Sequence, residues 1–350
     1  MKIVVTMKLT DPQMNRLRER AEVVEMGWGK TGVKLTEEEM AAALQDADIL
    51  LVGYEQVSGD VILNAPKLKL IGCSRANPVN INCAAVNQRE IPLIYTPGRN
   101  ANTAAEFTLG LMLSVSRNIG QAFHALKSNQ YLGDPMDHFS GSDSKEDVVW
   151  TLDGPSPYKD FRGVELCGRT LGLVGLGAIG ARVAKFAQGF EMRVISYDPY
   201  LAPERASELG VELVSLDDLL RDSDFISVHC KVSDETKGLL GKREFSLMKP
   251  SAYVINTARA VIIDQEALID ALQNRKIAGA ALDVYWYEPL PCNHPLLSMK
   301  NVTLTPHLGG ATEDVPMRHS KMIVDDVIAW MDGRQPERVY NRAELAVRGK

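Results

Sequence analysis

Short apolar runs alternate with helically patterned or charged stretches along most of the 350-residue chain. Lys2–Thr6, Val23–Met26, Asp48–Gly53, Leu68–Ser74 and Pro92–Tyr95 have the length and composition of buried strands. Between them lie a charged helical pattern ending at Arg20, the segment Thr36–Gln45 with Glu39 three residues after its leading Thr, and a helix from about Ile81 to Arg89. Strands that alternate with helices predict a parallel sheet covered on both faces.

A long helical stretch then runs from Asn102 to Gln130, with apolar residues around much of its circumference. Such a helix either meets its own domain on one face and a second copy on another, or lies wholly inside one core. Periodicity is lost from Tyr131 to Asp160, a Gly-, Ser-, Asp- and Pro-rich insert that reads as an arm or flap near a dimer interface. From Thr170 a second alternation begins, with strands at Phe225–Cys230, Ala252–Ala258, Ala278–Val284 and Asn301–His307 and helices at Ser215–Asp224 and Asp264–Arg275. The closing helix, Thr312–Met331, is long enough to return to the first domain. The expected partition is therefore a discontinuous domain of residues 1–101 and 311–350, interrupted by a second domain of residues 102–310 that carries the insert at 131–160.

The second domain opens on TLGLVGLGAIGARVAKFAQGFEMRVISYD, from Thr170 to Asp198. This is a strand, a Gly175-x-Gly177-x-x-Gly180 turn, a helix, a strand and a terminal acid, the order of a dinucleotide-binding βαβ unit. Gly175 permits the tight turn, Gly177 lets the backbone approach a pyrophosphate, and Gly180 lets helix and strand pack closely. The diphosphate then meets a helix N-terminus, where N–H groups and the dipole favour negative charge. Asp198 stands where an acid accepts from the adenosine ribose hydroxyls, and its charge disfavours a 2′-phosphate, so the expected cofactor is NAD.

Composition narrows the partners. Hydrophobic residues make up 45% of the chain and charged residues 24%, with a net charge of −6, which fits a globular protein and not one that binds nucleic acid or an acidic membrane. No run approaches the length of a membrane span, and the apolar run at the N-terminus is too short for a signal peptide, so a cytoplasmic location is expected. The five cysteines include no C-x-x-C pair, and His138 has no companion at metal-ligand spacing, so neither a disulfide framework nor a metal site is expected. With few residues after Gly333, a separate regulatory domain is not expected.

Chemistry collects where the later strands end, since open α/β sheets bind ligands at the carboxyl ends of their strands. Those ends carry Cys230, Thr257-Ala258-Arg259, Asp283 and His307. Hydride chemistry needs an acid/base for the hydroxyl proton and a cation for the substrate anion. Arg259 can grip a carboxylate through two parallel N–H bonds, His307 can exchange a proton near neutral pH, and Glu288 can orient His307 and favour its protonated form. Each residue alone also reads as a solvated charge, a packed histidine or a turn.

Together with Gly175–Gly180 and Asp198, the segments VINTARA, ALDVYWYEPLP and LTPHLGGAT resemble the D-isomer-specific 2-hydroxyacid dehydrogenases, the family that includes phosphoglycerate dehydrogenase; the resemblance covers roughly residues 67–333. It implies an α/β protein of two doubly wound domains, a Rossmann NAD-binding domain inserted into a flavodoxin-like substrate domain, and usually a homodimer through the nucleotide domain. It implies that Arg259 binds and polarises a 2-oxo acid, that His307 donates and accepts the proton, and that Glu288 is its partner. Ala178, Ile179, Asp198, Cys230, Thr257, Asp283 and Gly309 match positions that contact NAD, and Ala258 lies within the same turn.

Two departures follow from the same comparison. Ala260 stands where the family usually has Gly, and the substrate loop reads Ser74-Arg75-Ala76-Asn77-Pro78-Val79-Asn80 where many members resemble GVGVDNID. Backbone N–H groups of that loop hold the substrate carboxylate in the family, and Pro78 has none to give. Arg75, Pro78, Val79 and Asn80 are thus the candidate substrate-binding residues, Arg75 either meeting a phosphate or second carboxylate or forming a structural ion pair. The expected substrate is a D-2-hydroxy acid, with 3-phosphoglycerate or a sugar-derived acid as candidates. The alternative is a non-catalytic NAD(H) sensor that binds a protein partner.

Overall fold

The computed structural model describes residues 1–132 and 156–347, which divide into a unit of residues 1–100 and 311–350 and a unit of residues 101–310. In the first unit five parallel strands, β1 (Lys2–Val5), β2 (Glu22–Glu25), β3 (Ile49–Val52), β4 (Leu70–Cys73) and β5 (Leu93–Ile94), pair in the order β2-β1-β3-β4-β5. This is the flavodoxin-like order. Side chains alternate across the sheet as a pleated strand requires. Val4, Leu50 and Ile71 join one core with Met40, Leu44 and Val86, while Ile3, Val5, Ile49, Leu51 and Leu70 face Ile323, Val324, Val327 and Ile328 of the closing helix Asp314–Met331. That last contact fixes the C-terminal helix on the N-terminal sheet. The Glu37–Ala43 helix opens with the expected reciprocal cap, Glu39 N–H donating to Thr36 Oγ1 at 3.2 Å and Thr36 N–H to Glu39 Oε2 at 2.8 Å.

Seven parallel strands form the second sheet: β6 (Thr170–Val174), β7 (Arg193–Tyr197), β8 (Glu212–Leu213), β9 (Phe225–Val228), β10 (Tyr253–Asn256), β11 (Gly279–Leu282) and β12 (Val302–Leu304). Their order, β12-β11-β10-β9-β6-β7-β8, reverses between β6 and β9. In open sheets that reversal opens the crevice in which dinucleotides bind. One face packs Leu171, Leu173, Val194, Phe225, Ile255 and Ala281 against helices Ala101–Ser116 and Ala178–Gly189; the other packs Val174, Ile226, Val254 and Leu282 against Leu219, Leu220, Leu268 and Leu272.

The long helix expected from Asn102 to Gln130 is two helices, Ala101–Ser116 and Ile119–Lys127. Asn118 between them is left-handed, with φ of 55°. Val164 N–H donates to the Ser116 carbonyl at 2.9 Å and Asn118 Nδ2 to the Phe161 carbonyl at 3.3 Å, so a distant segment takes over the helix end. The break separates two roles. Ala105, Leu109 and Met112 are core, whereas Ile119, Phe123 and Leu126 expose an apolar stripe at helical spacing. Most of the 131–160 insert, and His138 with it, lies outside the described residues.

The junction depends on Gly163, where a Cβ would overlap the Ser116 carbonyl oxygen and lie 2.8 Å from Arg117 Cα. Gly163→Ala should therefore destabilise the protein by about 1–3 kcal/mol, the usual cost of overpacking. Thermal denaturation checks this, and an unchanged Tm would show that the junction yields at no cost.

Candidate active site

Two buried polar side chains at adjacent strand ends shape the loops that carry the chemistry. Asn256, the last residue of β10, accepts from Ala258 N–H at 2.9 Å through Oδ1 and donates to the Arg259 carbonyl at 3.0 Å through Nδ2. The turn that presents Arg259 is thereby closed on itself. Asp283, just past β11 and 1% exposed, accepts from Thr305 Oγ1, Leu308 N–H and Gly309 N–H, each at 2.7 Å. These three donors straddle His307.

His307 has φ of 58°, a left-handed conformation uncommon outside glycine, and its N–H donates to the Thr305 carbonyl at 3.0 Å. The turn aims the ring at Glu288, whose Oε2 lies 2.8 Å from Nδ1. A carboxylate only accepts, so Nδ1 carries the proton and Nε2 is left for a reacting group. Glu288 also accepts from Tyr285 N–H at 3.1 Å. Burial pushes the Glu288 carboxyl upward, but the bonds from His307 and Tyr285, with the nearby charge of Arg259, more than offset this and hold its pKa below the ordinary value. Glu288 therefore stays ionised beside the imidazole at neutral pH. Arg259, apart from a bond to the Ala258 carbonyl, keeps its guanidinium exposed.

The dinucleotide side is built at the glycine turn. Gly175 has φ of 98°, and a Cβ there would stand 2.8 Å from Cys230 N. A Cβ on Gly180 would overlap the Gly175 carbonyl oxygen, whereas one on Gly177 would meet nothing. The turn is thus closed beneath and open above the first N–H groups of the Ala178–Gly189 helix, which include those of Ala178, Ile179 and Gly180. Asp198 immediately follows β7 and accepts from Leu176 N–H at 2.8 Å and Tyr200 N–H at 3.1 Å, which leaves lone pairs for hydroxyl donors. These features fit a dinucleotide: an open cradle, a free helix N-terminus and an acid one strand away.

Residues 109–309 match the model of the D-isomer-specific 2-hydroxyacid dehydrogenases, NAD-binding domain. The chain belongs to this family. It is 36% identical over 346 residues to D-3-phosphoglycerate dehydrogenase of Methanocaldococcus jannaschii, aligning 98% of its own length with 60% of that protein's. It is 35% identical over 312 residues to glyoxylate reductase of Aeropyrum pernix, covering 89% of this chain and 88% of the relative. Among solved structures, D-mandelate dehydrogenase of Rhodotorula graminis superposes with a TM-score of 0.80 at 25% identity, over 97% of this chain and 96% of the other.

The expected residues fall into several groups. Arg259, Glu288 and His307 converge at strand ends of one sheet, and Gly175, Gly177, Gly180, Ala178, Ile179, Asp198 and Cys230 surround the glycine turn. Thr257 shares a hydrogen bond with Thr108 at 2.9 Å, beside Ala258. Asp283 and Gly309, expected as cofactor contacts, bond to each other, and the buried Asp283 carboxylate is engaged by three protein donors. Its place is beneath the His307 turn.

The loop from Arg75 to Asn80 belongs to the first unit. Arg75 places its guanidinium 5.9 Å from the Tyr54 ring centroid, Pro78 is buried, and Val79 is exposed. Asn80 is 2% exposed, and its Nδ2 donates to the Glu55 carbonyl at 2.7 Å and the Gly53 carbonyl at 3.3 Å. Its side-chain amide ties two loops together, both of its N–H bonds being spent on those carbonyls. Asn256 and the loop-anchoring role of Asp283 were missed in the sequence, and the available signal was a polar residue ending an otherwise apolar strand. Among the described residues no three His, Cys, Asp or Glu side chains group as a metal site, and no helix is long and apolar enough to cross a membrane.

The His307–Glu288 pair predicts a positioning role for the carboxylate. Glu288→Gln should lower kcat for NADH-dependent reduction of a 2-oxo acid by about tenfold or more, with NADH affinity nearly unchanged. An unchanged kcat would separate Glu288 from proton transfer.

Proposed function

We propose that the protein interconverts a D-2-hydroxy acid and its 2-oxo acid with NAD. The observation that carries this reading is the 2.8 Å His307–Glu288 pair, with Arg259 close enough for its charge to stabilise the Glu288 carboxylate. Gly177, the N-terminus of the Ala178–Gly189 helix and Asp198 would hold the cofactor, which when bound supplies the acceptor or donor of hydride. The residues do the rest. The Arg259 guanidinium binds the substrate carboxylate and steadies negative charge on the C2 oxygen. In oxidation, neutral His307 takes the hydroxyl proton at Nε2 while Glu288 stabilises the imidazolium that forms; in reduction, the imidazolium returns it.

Relatives named phosphoglycerate dehydrogenase and glyoxylate reductase set the substrate candidates: a phosphorylated three-carbon acid, a sugar-derived acid, or a small 2-oxo acid. A non-catalytic sensor of NAD(H) would have no use for this pair beside an exposed arginine. Screening 2-oxo acids with NADH and NADPH should reveal turnover with NADH, and His307→Ala should lower kcat by about 10²-fold or more with NADH affinity nearly unchanged. Tight NADH binding without turnover of any acid would sink the enzyme reading.

A second copy of the chain is the proposed occupant of the Ile119, Phe123 and Leu126 stripe, where Phe123 is 63% exposed. A contiguous apolar face of this kind is costly to leave in water and is common at subunit interfaces. Phe123→Glu should shift the species measured by analytical ultracentrifugation from dimer to monomer. A dimer indifferent to the substitution would place the interface elsewhere.

A further inference from the structure

Glu288 and His307 stand on different loops of the second unit, Glu288 on the segment that leaves β11 and His307 on the segment that leaves β12. The Asp283 carboxylate shapes the His307 turn, but its bonds go to Thr305, Leu308 and Gly309, and none of them reaches the Glu288 loop. The spacing between the two loops has another source. Tyr285 touches both. Its N–H donates to Glu288 Oε1 at 3.1 Å, the oxygen opposite the one that meets His307. Its hydroxyl donates to the Thr305 carbonyl at 2.9 Å, and that same carbonyl accepts from His307 N–H. One residue thus holds the carboxylate through its backbone and the histidine turn through its side chain.

The hydroxyl sits where the backbone stops setting the distance. β11 and β12 pair as far as Leu282 and Leu304, and Thr305 N–H closes their ladder on the Leu282 carbonyl at 3.0 Å. Beyond that bond the strands part. The Tyr285 hydroxyl lies at the parting, 3.3 Å from the Leu282 carbonyl as well as on that of Thr305. Burial and the charge of Asp283 push its pKa up to about 12, so it remains a donor throughout the neutral range. Its ring packs, half-buried, against the core that includes Leu282 and Val302. Trp286, next in the chain, donates from Nε1 to the Ile263 carbonyl at 3.0 Å and anchors the same segment on its other side. Removing the hydroxyl alone therefore leaves the packing in place and releases only the tie to the His307 turn.

We propose that Tyr285 is a positioning residue for proton transfer, its hydroxyl setting the separation at which Glu288 meets His307. This rests on the 2-hydroxyacid dehydrogenase reading and adds a residue to it. A hydrogen bond weakens steeply as its distance and angle leave a narrow range, and a misplacement of about 1 Å in a catalytic group costs up to about 10²-fold in rate. A tie that spans both loops therefore matters to turnover beyond the strength of its own bond.

The test is Tyr285→Phe, with its fold checked by circular dichroism. With NADH and the 2-oxo acid turned over fastest, the substitution should lower kcat about tenfold and leave both the KM of the acid and the Kd of NADH within about twofold. In a Glu288→Gln background the same substitution should lower kcat by less than about twofold, because Tyr285 acts through a pair that the first change has already broken. A residue that only stabilises the fold would cost the same factor in both backgrounds. A crystal structure of the Tyr285→Phe variant reads the positioning without turnover: the separation of His307 Nδ1 from Glu288 Oε2 should open from 2.8 Å to beyond about 3.5 Å. A kcat within about twofold of wild type, equal losses in the two backgrounds, or a pair that keeps its separation overturns the proposal. A wild type that turns over no 2-oxo acid refutes the catalytic reading instead, and the separation in the crystal still decides the role of Tyr285.

Discussion

The geometry of the site depends on one buried carboxylate. Asp283 gathers the Thr305 hydroxyl and the Leu308 and Gly309 N–H groups onto two oxygens, and the chain between those donors has no choice but to fold His307 into a left-handed turn. A lone residue in that conformation costs on the order of 1–3 kcal/mol, and it persists only where its surroundings over-determine it. Three short hydrogen bonds to a charged acceptor supply that constraint. The turn in turn fixes which imidazole nitrogen faces Glu288. Proton direction is thus set two bonds away from the carboxylate that enforces it.

Asn256 repeats the device one strand away, where an amide both accepts from and donates to the turn bearing Arg259. Parallel strands end in loops whose backbone polar groups have lost the ladder, and a polar side chain at the strand terminus takes those groups over. Because both strands end at the same edge of one sheet, the two turns come into register, and their anchors touch, Asp283 N–H donating to the Asn256 carbonyl at 3.0 Å. The first unit uses the same logic with Glu55 and Asn80 around Tyr54. Exposed groups that meet ligands are aimed by buried groups that do not.

This division explains what could be read from the chain. The alternation of strands and helices, the glycine turn and the placing of Arg259, Glu288 and His307 at strand ends were legible because periodicity and residue type follow directly from burial and chemistry. The break at Asn118 was not, because its cause is the docking of Gly163 and Val164 onto the Ser116 carbonyl, some 45 residues downstream. Asp283 was read as a cofactor contact, and its protein partners were not legible, because an acid at a strand end looks the same whether it faces a ligand or the next loop. The Asn80 side chain was hidden likewise, its amide being bonded to two carbonyls that only the fold brings near.

The arginines of the first unit illustrate the converse, that charge balance is a property of neighbourhoods. The chain as a whole is acidic, with a net charge of −6, so carboxylates are not scarce. They pair with Arg16 and Arg20, yet among the described residues Arg75 and Arg99 form no ion pair with a carboxylate. Burial raises the cost of leaving two like charges together, because the medium that would screen them has been removed. A neutral histidine, its Nδ1 3.2 Å from Arg99 Nη1, positions that guanidinium without cancelling its charge. Arg99 is thus placed by a partner that carries no charge, whereas His307 is placed by a carboxylate.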